Sequence, residues 1–389
     1  MTPSASETMI GAAALNRDLV DVAGGRARLE TPAAVLDLDL FEANMARMSA
    51  ACAAAGVALR PHAKSHKCAE IARRQIAAGA LGVCCAKPGE LLALHAAGID
   101  DLFLSAPVAS ARKIDALARA AAAGARIDLV VERPDLARAY AAAARRHGTR
   151  FGALVDLDTG LKRSGVADPA AAVAIATAIA AEDTLVYRGV QAYHGRMQHI
   201  DGFAERRAVG ADVNGVLAGL IGALSAAGFA PTIVSGGGTG SFAIDGAAGI
   251  LTEIQAGSYV FMDEGYASVD STGAGRSDFA PALRIAVTVI GHSSAGFAIT
   301  DGGSKSFALD GPAPRVFLAG REIGRIEWCG DEFSRILPAD GGAPLAVGTV
   351  VECTVPHCDP TINLHDWLHV CRGDRLVAQW PVEARGRAD

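Results

Sequence analysis

The chain has 389 residues, of which 51% are hydrophobic and 20% are charged. Its 36 Lys and Arg residues against 42 Asp and Glu residues give a net charge of −6, which offers no reason to expect nucleic acid or an anionic membrane as a partner. This length suits a large α/β domain with a second domain of roughly 100 residues.

The N-terminal segment MTPSASETMIGAAALNRDLV lacks a basic stretch followed by an unbroken apolar core, so it does not resemble a secretory signal. The longest apolar-looking run, residues 170–181, is about 12 residues long and too short to span a membrane. The eight cysteines show no CxxC pair, and Cys84 and Cys85 are adjacent, which favours reduced thiols. We therefore predict a cytoplasmic protein.

From residue 31 onward, short apolar strands alternate with alanine-rich helical stretches. This βα alternation predicts a parallel sheet, and the number of strands favours a closed (β/α)8 barrel over residues 31–265. Asp168 and Pro169 are typical of a helix start before residues 170–181. The predicted strands are residues 34–39, 59–64, 82–87, 101–106, 127–132, 151–158, 187–195, 232–238 and 253–261.

The pattern changes after residue 265. Apolar and polar residues alternate between Gly, Asp and Pro turns, without a long helix between the segments. Residues 266–389 are therefore predicted to form a mainly antiparallel β domain. Its predicted strands are residues 282–290, 296–300, 322–328, 348–356, 367–371 and 375–382.

The stretch LRPHAKSHK (59–67), which begins with the second predicted strand (59–64), carries Arg60, His62, Lys64 and His66 at every second position. Side chains alternate along a strand, so these residues would share one face, with Lys64 at the carboxyl end where barrel enzymes build their active sites. Neighbouring cations would lower the pKa of such a lysine, which could then form a Schiff base. The alternative is a surface strand whose long cations reach water.

Two glycine clusters follow the last barrel strands: SGGGTGS (235–241) and AGSY (256–259). Loops at this place in a (β/α)8 barrel often bind phosphate through backbone N–H groups, although a glycine cluster can also be only a tight turn. A lysine at a strand end together with a phosphate site indicates pyridoxal phosphate, because the lysine holds its aldehyde and the loops hold its phosphate.

Six motifs together carry a family resemblance: RPHAKSHKCAEIA (60–72), GVCCAKPGE (82–90), GVQAYHGRMQH (189–199), SGGGTGS, EIQAGSYVFMD (253–263) and PHCDPTINLHD (356–366). In this order the chain resembles the D-threonine aldolase and D-serine dehydratase group, which includes the β-hydroxyaspartate aldolases. These are pyridoxal phosphate enzymes of the alanine-racemase fold. The resemblance implies that Lys64 is the Schiff-base lysine, that residues 31–40 pair with the β domain, and that the protein is a homodimer.

The resemblance also places Arg163 near the phenolic oxygen of the cofactor and Tyr193 near its pyridine nitrogen. A neutral phenol cannot keep that nitrogen protonated, so the ring would be a weaker electron sink and a second electrophile should help. The complete predicted cofactor-binding set is Lys64, His62, Arg163, Tyr193, Ser235, Gly237, Gly238, Thr239, Gly240, Gly257, Ser258 and Tyr259.

PHCDPTINLHD supplies the candidate for that electrophile. In an extended segment His357 and Asp359 face the same way, with Cys358 opposite. Imidazole and carboxylate suit a divalent ion, with Mn²⁺ favoured and Zn²⁺ or Mg²⁺ as alternatives; otherwise these are turn residues beside Pro360. Dehydratases of the group commonly have cysteine at the HxC position, whereas this chain, like the aldolases, has Asp359.

The resemblance assigns His199 as the base near the substrate hydroxyl and Asp331 as an acidic residue near the metal. Phe333 stands where the group usually has histidine. We expect a metal-assisted aldolase that cleaves D-β-hydroxy-α-amino acids to glycine and an aldehyde. The alternatives are a D-serine or 3-hydroxyaspartate dehydratase that uses the same lysine and metal, an amino-acid racemase, and a non-catalytic pyridoxal phosphate carrier, which would lack a second domain.

Overall fold

The computed structural model describes residues 11–339 and 344–389. Residues 1–10, the first half of the N-terminal segment that does not resemble a secretory signal, lie outside the described part. Its strands are β1 (Ala33–Asp37), β2 (Ala58–Leu59), β3 (Val83–Cys85), β4 (Asp101–Leu104), β5 (Arg126–Val131), β6 (Phe151–Leu157), β7 (Leu185–Ala192), β8 (Ile233–Gly236), β9 (Glu253–Ile254), β10 (Leu283–His292), β11 (Ala298–Thr300), β12 (Arg315–Leu318), β13 (Arg321–Trp328), β14 (Ser334–Pro338), β15 (Val350–Thr354), β16 (Trp367–Arg372) and β17 (Arg375–Pro381).

The helices alternate with the strands of the barrel and are sparse in the second domain. The α-helices are α1 (Ala12–Leu15), α2 (Leu38–Ala55), α3 (Ala69–Ala77), α4 (Pro88–Ala96), α5 (Ala111–Ala122), α6 (Pro134–Arg146), α7 (Pro169–Ala180), α8 (Phe203–Ala226), α9 (Phe242–Ala248), α10 (Glu264–Ala267) and α11 (Cys358–Ile362). Short 3-10 turns are formed by Asn16–Leu19, Gly25–Arg28, Ala63–Ser65, Gly195–His199 and Ser258–Val260.

The first sheet contains eight parallel strands in the order β2-β9-β8-β7-β6-β5-β4-β3. Its two ends meet through a parallel bridge between His62 and Cys84, where the Cys84 N–H donates to the Pro61 carbonyl at 2.8 Å. The predicted barrel is confirmed. Its helices pack against the strands through alanine-rich faces, and the Asp168 carboxylate caps α7 by accepting from the Ala171 N–H at 2.8 Å.

The second sheet contains nine strands in the order β11-β14-β13-β12-β15-β10-β1-β16-β17, with β10 also pairing with β11. β1 lies between β10, to which it is antiparallel, and β16, to which it is parallel. The remaining neighbours pair antiparallel, which confirms the predicted β domain. A large apolar core joins this sheet to α2 and to the segment after β9, so the β domain rests against the end of the barrel where its last strand finishes.

The longest apolar element differs from the sequence prediction. Within the described residues, α8 has 24 residues and by length and composition alone could cross a membrane, so residues 170–181 were wrongly taken as the longest apolar run. Its Gly and Ala residues hide the apolar character in the sequence. The inner side of α8 is buried at Leu217, Leu220 and Leu224 and belongs to the barrel core, and one such helix is weak evidence for a membrane span.

Candidate active site

Lys64 lies on a tight turn rather than on a strand. The strand ends at Leu59, and the 3-10 turn Ala63–Ser65 follows after Pro61. The His62 Nδ1 atom accepts from the Lys64 N–H at 3.4 Å, and the Ala63 carbonyl accepts from the Lys67 N–H at 2.7 Å. The prediction of a strand over 59–64 with cations along one face is therefore wrong, because this local bonding bends the chain. The turn holds Lys64 beyond the carboxyl end of β2, with 42% of its side chain exposed.

The other cations of this segment are buried and each has its own role in the fold. Arg60 forms ion pairs with Glu253 at 3.0 Å and with Asp101 at 2.7 Å. His62 bonds through Nε2 to the Ser105 hydroxyl at 3.0 Å, and burial together with the Lys64 charge lowers the pKa of His62 well below its usual value. Lys64 is therefore the cation of this group that remains available at the barrel mouth.

Lys64 meets the HCD motif of the β domain directly. Its Nζ atom lies 2.7 Å from Oδ2 of Asp359, and the Ser258 hydroxyl lies 3.5 Å from Oδ1 of the same carboxylate. Burial alone would raise the pKa of Asp359, but the Lys64 charge holds it far below its usual value, so the carboxylate is ionised. In return, Asp359 raises the pKa of Lys64. The expectation that neighbouring cations lower the Lys64 pKa is wrong, because the nearest charge is an anion.

The HCD motif begins a helix instead of forming an extended segment. His357 is the residue before α11, while Cys358 and Asp359 lie in its first turn, so the prediction based on strand alternation is wrong. The His357 Nδ1 atom lies 2.8 Å from Oδ2 of Asp310, which fixes the orientation of the ring and leaves Nε2 on the opposite side. Cys358 is fully buried and its Sγ lies 3.4 Å from Asp359 Oδ1.

Asp263 holds this motif in place. Its carboxylate is buried and accepts the Cys358 N–H at Oδ2 and the Tyr266 N–H at Oδ1, both at 2.8 Å. It thereby joins the end of the barrel to the start of α11. The sequence analysis missed both Asp263 and Asp310. Asp263 could have been found, because it ends the motif EIQAGSYVFMD, whereas Asp310 lies in a turn without any signal.

Replacing Asp263 by Asn is expected to lower the free energy of unfolding by about 1–3 kcal/mol. The amide has only one accepting oxygen, so its NH₂ group would face one of the two buried N–H donors. Urea unfolding measures this loss. Asp366→Asn is the matched control, because Asp366 is exposed and pairs with Arg385 at the surface, where such pairs contribute little. Equal losses in the two variants would contradict the role of Asp263.

The glycine loops pack so closely against neighbouring segments that side chains would clash there. A Cβ atom at Gly240 would lie 2.2 Å from the Gln198 carbonyl, one at Gly238 would lie 2.5 Å from the Gln198 amide oxygen, and one at Gly257 would lie 2.7 Å from the His62 carbonyl. Gly237 has a φ of +69°, which favours glycine. These close approaches place the first loop against the turn Gly195–His199 and the second loop against the Lys64 turn.

A hydrogen bond joins the two loops, because the Thr239 hydroxyl accepts from the Tyr259 N–H at 3.1 Å. The first loop is also bonded to the turn Gly195–His199, where the Gln198 amide oxygen accepts from the Gly240 N–H at 3.0 Å. Two predicted side chains have other partners: the Ser235 hydroxyl accepts from Gln255 at 2.8 Å in the buried sheet, and the Tyr259 hydroxyl accepts from Gln75. β9 ends at Ile254, so the predicted strand over 253–261 is too long; a loop and the turn Ser258–Val260 follow it.

Arg163 and Tyr193 lie together at the mouth of the barrel. The Arg163 guanidinium carbon is 5.4 Å from the centre of the Tyr193 ring, a cation–π distance. Burial raises the pKa of Tyr193 despite the opposing charge of Lys64, so its phenol is neutral. β7 ends at Ala192, which puts Tyr193 just beyond the strand, next to the turn Gly195–His199.

His199 ends that turn and is exposed at the barrel mouth. Its ring lies 4.9 Å from the Tyr266 ring, centre to centre, and partial burial lowers its pKa, so the ring is a neutral proton acceptor. Asp331 is not brought to this site by its described contacts. It lies on the exposed turn between β13 and β14, and its carboxylate accepts from Ser304 at 3.1 Å. Phe333, on the same turn, is exposed.

Comparison with known proteins agrees with this arrangement. Residues 36–265 match the family model of the alanine racemase N-terminal domain, and residues 282–371 match a serine dehydratase domain. These two domains define a pyridoxal phosphate enzyme of the alanine-racemase fold. The chain belongs to the D-threonine aldolase and D-serine dehydratase group within that class, as the motifs indicated, and it is a carbon–carbon lyase of the D-threonine aldolase-like type.

Three relatives illustrate the membership. The chain is 37% identical to a 3-hydroxy-D-aspartate aldolase of Paracoccus denitrificans, over 92% of this chain and 93% of the relative. Its structure matches the crystal structure of D-threonine aldolase from Filomicrobium marinum with a TM-score of 0.88, over 93% of this chain and 98% of that chain. The two sequences are 37% identical. A D-threo-3-hydroxyaspartate dehydratase of a Delftia species is 33% identical over 72% of this chain and 73% of its own length.

Proposed function

We propose that the protein is a pyridoxal phosphate- and divalent metal-dependent aldolase that cleaves D-β-hydroxy-α-amino acids of the D-threonine type to glycine and an aldehyde. The observation that carries this proposal is the 2.7 Å contact between Lys64 and Asp359. It joins the predicted cofactor lysine of the barrel to the predicted metal motif of the β domain. The relatives named as aldolases support the same reaction.

The residues present fit pyridoxal phosphate. Gly237, Gly238, Gly240 and Gly257 let these loops pack closely, with Gly257 against the Lys64 turn, and loops at this place in a barrel bind phosphate through backbone N–H groups. Lys64 would hold the aldehyde carbon, Arg163 would lie at the phenolic oxygen, and Tyr193 at the ring nitrogen. The bound cofactor would supply an electron sink for the electron pair released at the substrate Cα.

His357 and Asp359 fit a divalent metal, with Mn²⁺ favoured over Zn²⁺ and Mg²⁺. Asp359 is ionised, and Asp310 orients the His357 ring. Among the described residues, no group of three or more His, Cys, Asp or Glu side chains could hold a metal ion. His357 and Asp359 would supply two ligands, which would leave positions on the ion for water and substrate. It would polarise the β-hydroxyl as a Lewis acid.

The protein side chains would move two protons. His199 accepts the proton of the β-hydroxyl while the Cα–Cβ bond breaks and the hydroxyl carbon becomes the aldehyde. The Cα atom of the glycine product then needs one proton, and Lys64 is the group placed to deliver it. Asp331 would act only if a second subunit brought its exposed turn to this mouth, so its role is proposed together with the homodimer.

The pH dependence of cleavage tests His199. We expect the acid limb of kcat/KM to have its midpoint below about 6.5, the usual pKa of histidine, because burial lowers the pKa of His199. A base must be deprotonated, so activity falls as the pH drops through that pKa. His199→Gln should lose this limb and most of the rate. An unchanged acid limb in the variant would contradict the assignment, and His95→Gln, on α4, is the control.

A dehydratase is the second candidate function. The relative from the Delftia species and the match to the serine dehydratase domain favour it. In that reaction Lys64 would remove the α-proton and the metal would assist the loss of hydroxide, giving a keto acid and ammonia. A non-catalytic carrier is less well supported, because the β domain brings Asp359 of the predicted metal motif to the barrel lysine. The cytoplasmic location stays a prediction.

Configuration and side chain of the substrate are tested by comparing initial rates of glycine formation. Purified enzyme with pyridoxal phosphate and Mn²⁺ receives the D and L forms of threonine and of 3-hydroxyaspartate separately. We expect glycine from the D forms, and the faster D substrate identifies the preferred β-substituent. Glycine from L forms alone would contradict the proposal.

A further inference from the structure

Tyr259 is anchored at both ends. Its N–H donates to the Thr239 hydroxyl at 3.1 Å, which ties its turn to the glycine loop. Its side chain is 1% exposed, and its hydroxyl accepts from the Gln75 Nε2 atom at 3.0 Å. Gln75 lies on α3, the helix that follows the Lys64 turn. The phosphate side of the candidate site is therefore connected to α3, the helix that follows the turn carrying Lys64.

His66 lies at the other end of this connection. It follows Lys64 by two residues, is fully buried, and its N–H donates to the Ala63 carbonyl at 3.0 Å, which closes the turn. Its Nδ1 atom accepts from the Cys68 N–H at 3.2 Å. In the neutral ring the proton must then be on Nε2, which makes this atom a donor.

Two buried polar atoms face this region without a partner among the described residues: Nε2 of His66 and Oε1 of Gln75. One is a donor and the other an acceptor, and the Gln75 amide lies beside the His66 ring. Burial lowers the pKa of His66 to about 4, so the ring is neutral and offers one N–H. Buried polar groups are nearly always paired, and a small rotation would join these two.

We propose that Gln75 is a positioning residue, which ties the Lys64 turn to the phosphate side of the site through the buried chain His66, Gln75 and Tyr259. The proposal rests on the cofactor role of Lys64 and the glycine loops. These two parts of the protein hold opposite ends of one small molecule, so their spacing decides whether both ends bind at once. A fixed spacing raises affinity for pyridoxal phosphate without any contact between Gln75 and the cofactor.

The test is a titration of the full-length enzyme with pyridoxal phosphate, followed by the visible absorption of the lysine-bound cofactor, together with urea unfolding of each variant. Gln75→Met keeps the length of the side chain and removes both the hydrogen bond to Tyr259 and the amide oxygen that a small rotation would pair with His66. We expect it to raise the Kd about tenfold, the size of one to two buried hydrogen bonds. Gln75→Glu, which can still bond at both ends, should stay within about threefold of the wild type.

Tyrosine variants carry the test if Gln75→Met does not fold. Tyr259→Phe removes one hydroxyl and should also raise the Kd. The matched control is Tyr140→Phe, because Tyr140 is equally buried and its hydroxyl accepts from the Val108 N–H at 3.1 Å, far along the chain from the site. Its Kd should not change, whatever stability it loses.

The outcomes distinguish the positioning role of Gln75 from the cofactor assignment on which it rests. A Kd raised in Gln75→Met and Tyr259→Phe but not in Tyr140→Phe supports the positioning role. An unchanged Kd in folded Gln75→Met or Tyr259→Phe, with normal binding by the wild type, overturns it and leaves the proposed function intact. No visible band in the wild type would overturn the cofactor assignment itself.

Discussion

Replacing Lys64 by alanine is expected to remove the visible absorption band that a lysine-bound pyridoxal phosphate gives, and to lower the cleavage rate by about 10³-fold or more. Lys64 is placed for this role because the turn Ala63–Ser65 sets it beyond the carboxyl end of the first barrel strand, beside the glycine loops. It would also deliver the proton to Cα. Absorbance spectra and glycine assays of the same preparation measure both losses.

The control for this variant is Lys87→Ala. Lys87 is exposed and follows the next strand, β3, at the same end of the barrel. It should keep both the band and the rate. If Lys64→Ala retained the visible band after dialysis against free cofactor, Lys64 could not be the residue that holds it.

Replacing Asp359 by Asn should leave the visible band and lower the cleavage rate at least about 100-fold, and added Mn²⁺ should no longer stimulate the enzyme. The amide keeps the size of the carboxylate but not its charge, which the metal requires, whereas Lys64 keeps its place on the turn Ala63–Ser65 and can still hold the cofactor. Rates are measured after chelation and again after adding Mn²⁺. In the wild type, chelation should reduce the rate and Mn²⁺ should restore it.

Asp310→Asn is the control variant for the metal proposal, and its loss of activity should be smaller than that of Asp359→Asn. It leaves Asp359 unchanged and weakens only the support of the His357 ring, so the loss should be about tenfold and reversible at higher Mn²⁺. Full activity of Asp359→Asn in the presence of a chelator would defeat the metal proposal. It would leave the cofactor assignment standing.

Periodicity predicted the fold well because both domains have regular patterns. Alternating strands and alanine-rich helices indicate a barrel whichever residues line its mouth, and alternation without helices indicates an antiparallel sheet. The ends of the strands were harder to predict. HAKSHK alternates like a strand, yet a bond from the Lys64 N–H to the His62 ring and a tight turn bend the segment. The prediction that HCD is extended was also wrong, because the carboxylate of Asp263, from another part of the chain, accepts an N–H of the first turn of α11.

Within the candidate site, the residue types were predictable and their pairing was not. Motifs named Lys64 and Asp359 as cofactor lysine and metal ligand, but only the folded chain shows that they touch and that each stabilises the charge of the other. Gln75 carried no signal of its own, and His66 was noted only as one of the alternating cations, since a buried amide and a buried imidazole are common in any core. Asp331 shows the opposite case, a motif residue whose described contacts do not include the site.

The most direct test of the central claim is a product assay on purified enzyme with pyridoxal phosphate and Mn²⁺. D-Threonine and D-3-hydroxyaspartate are supplied separately, and glycine with aldehyde is quantified against keto acid with ammonia. The structure and its relatives predict glycine and aldehyde in equal amounts. Keto acid and ammonia as the main products would contradict the aldolase proposal and would mean that Lys64 takes the α-proton while the site at His357 and Asp359 assists the loss of hydroxide.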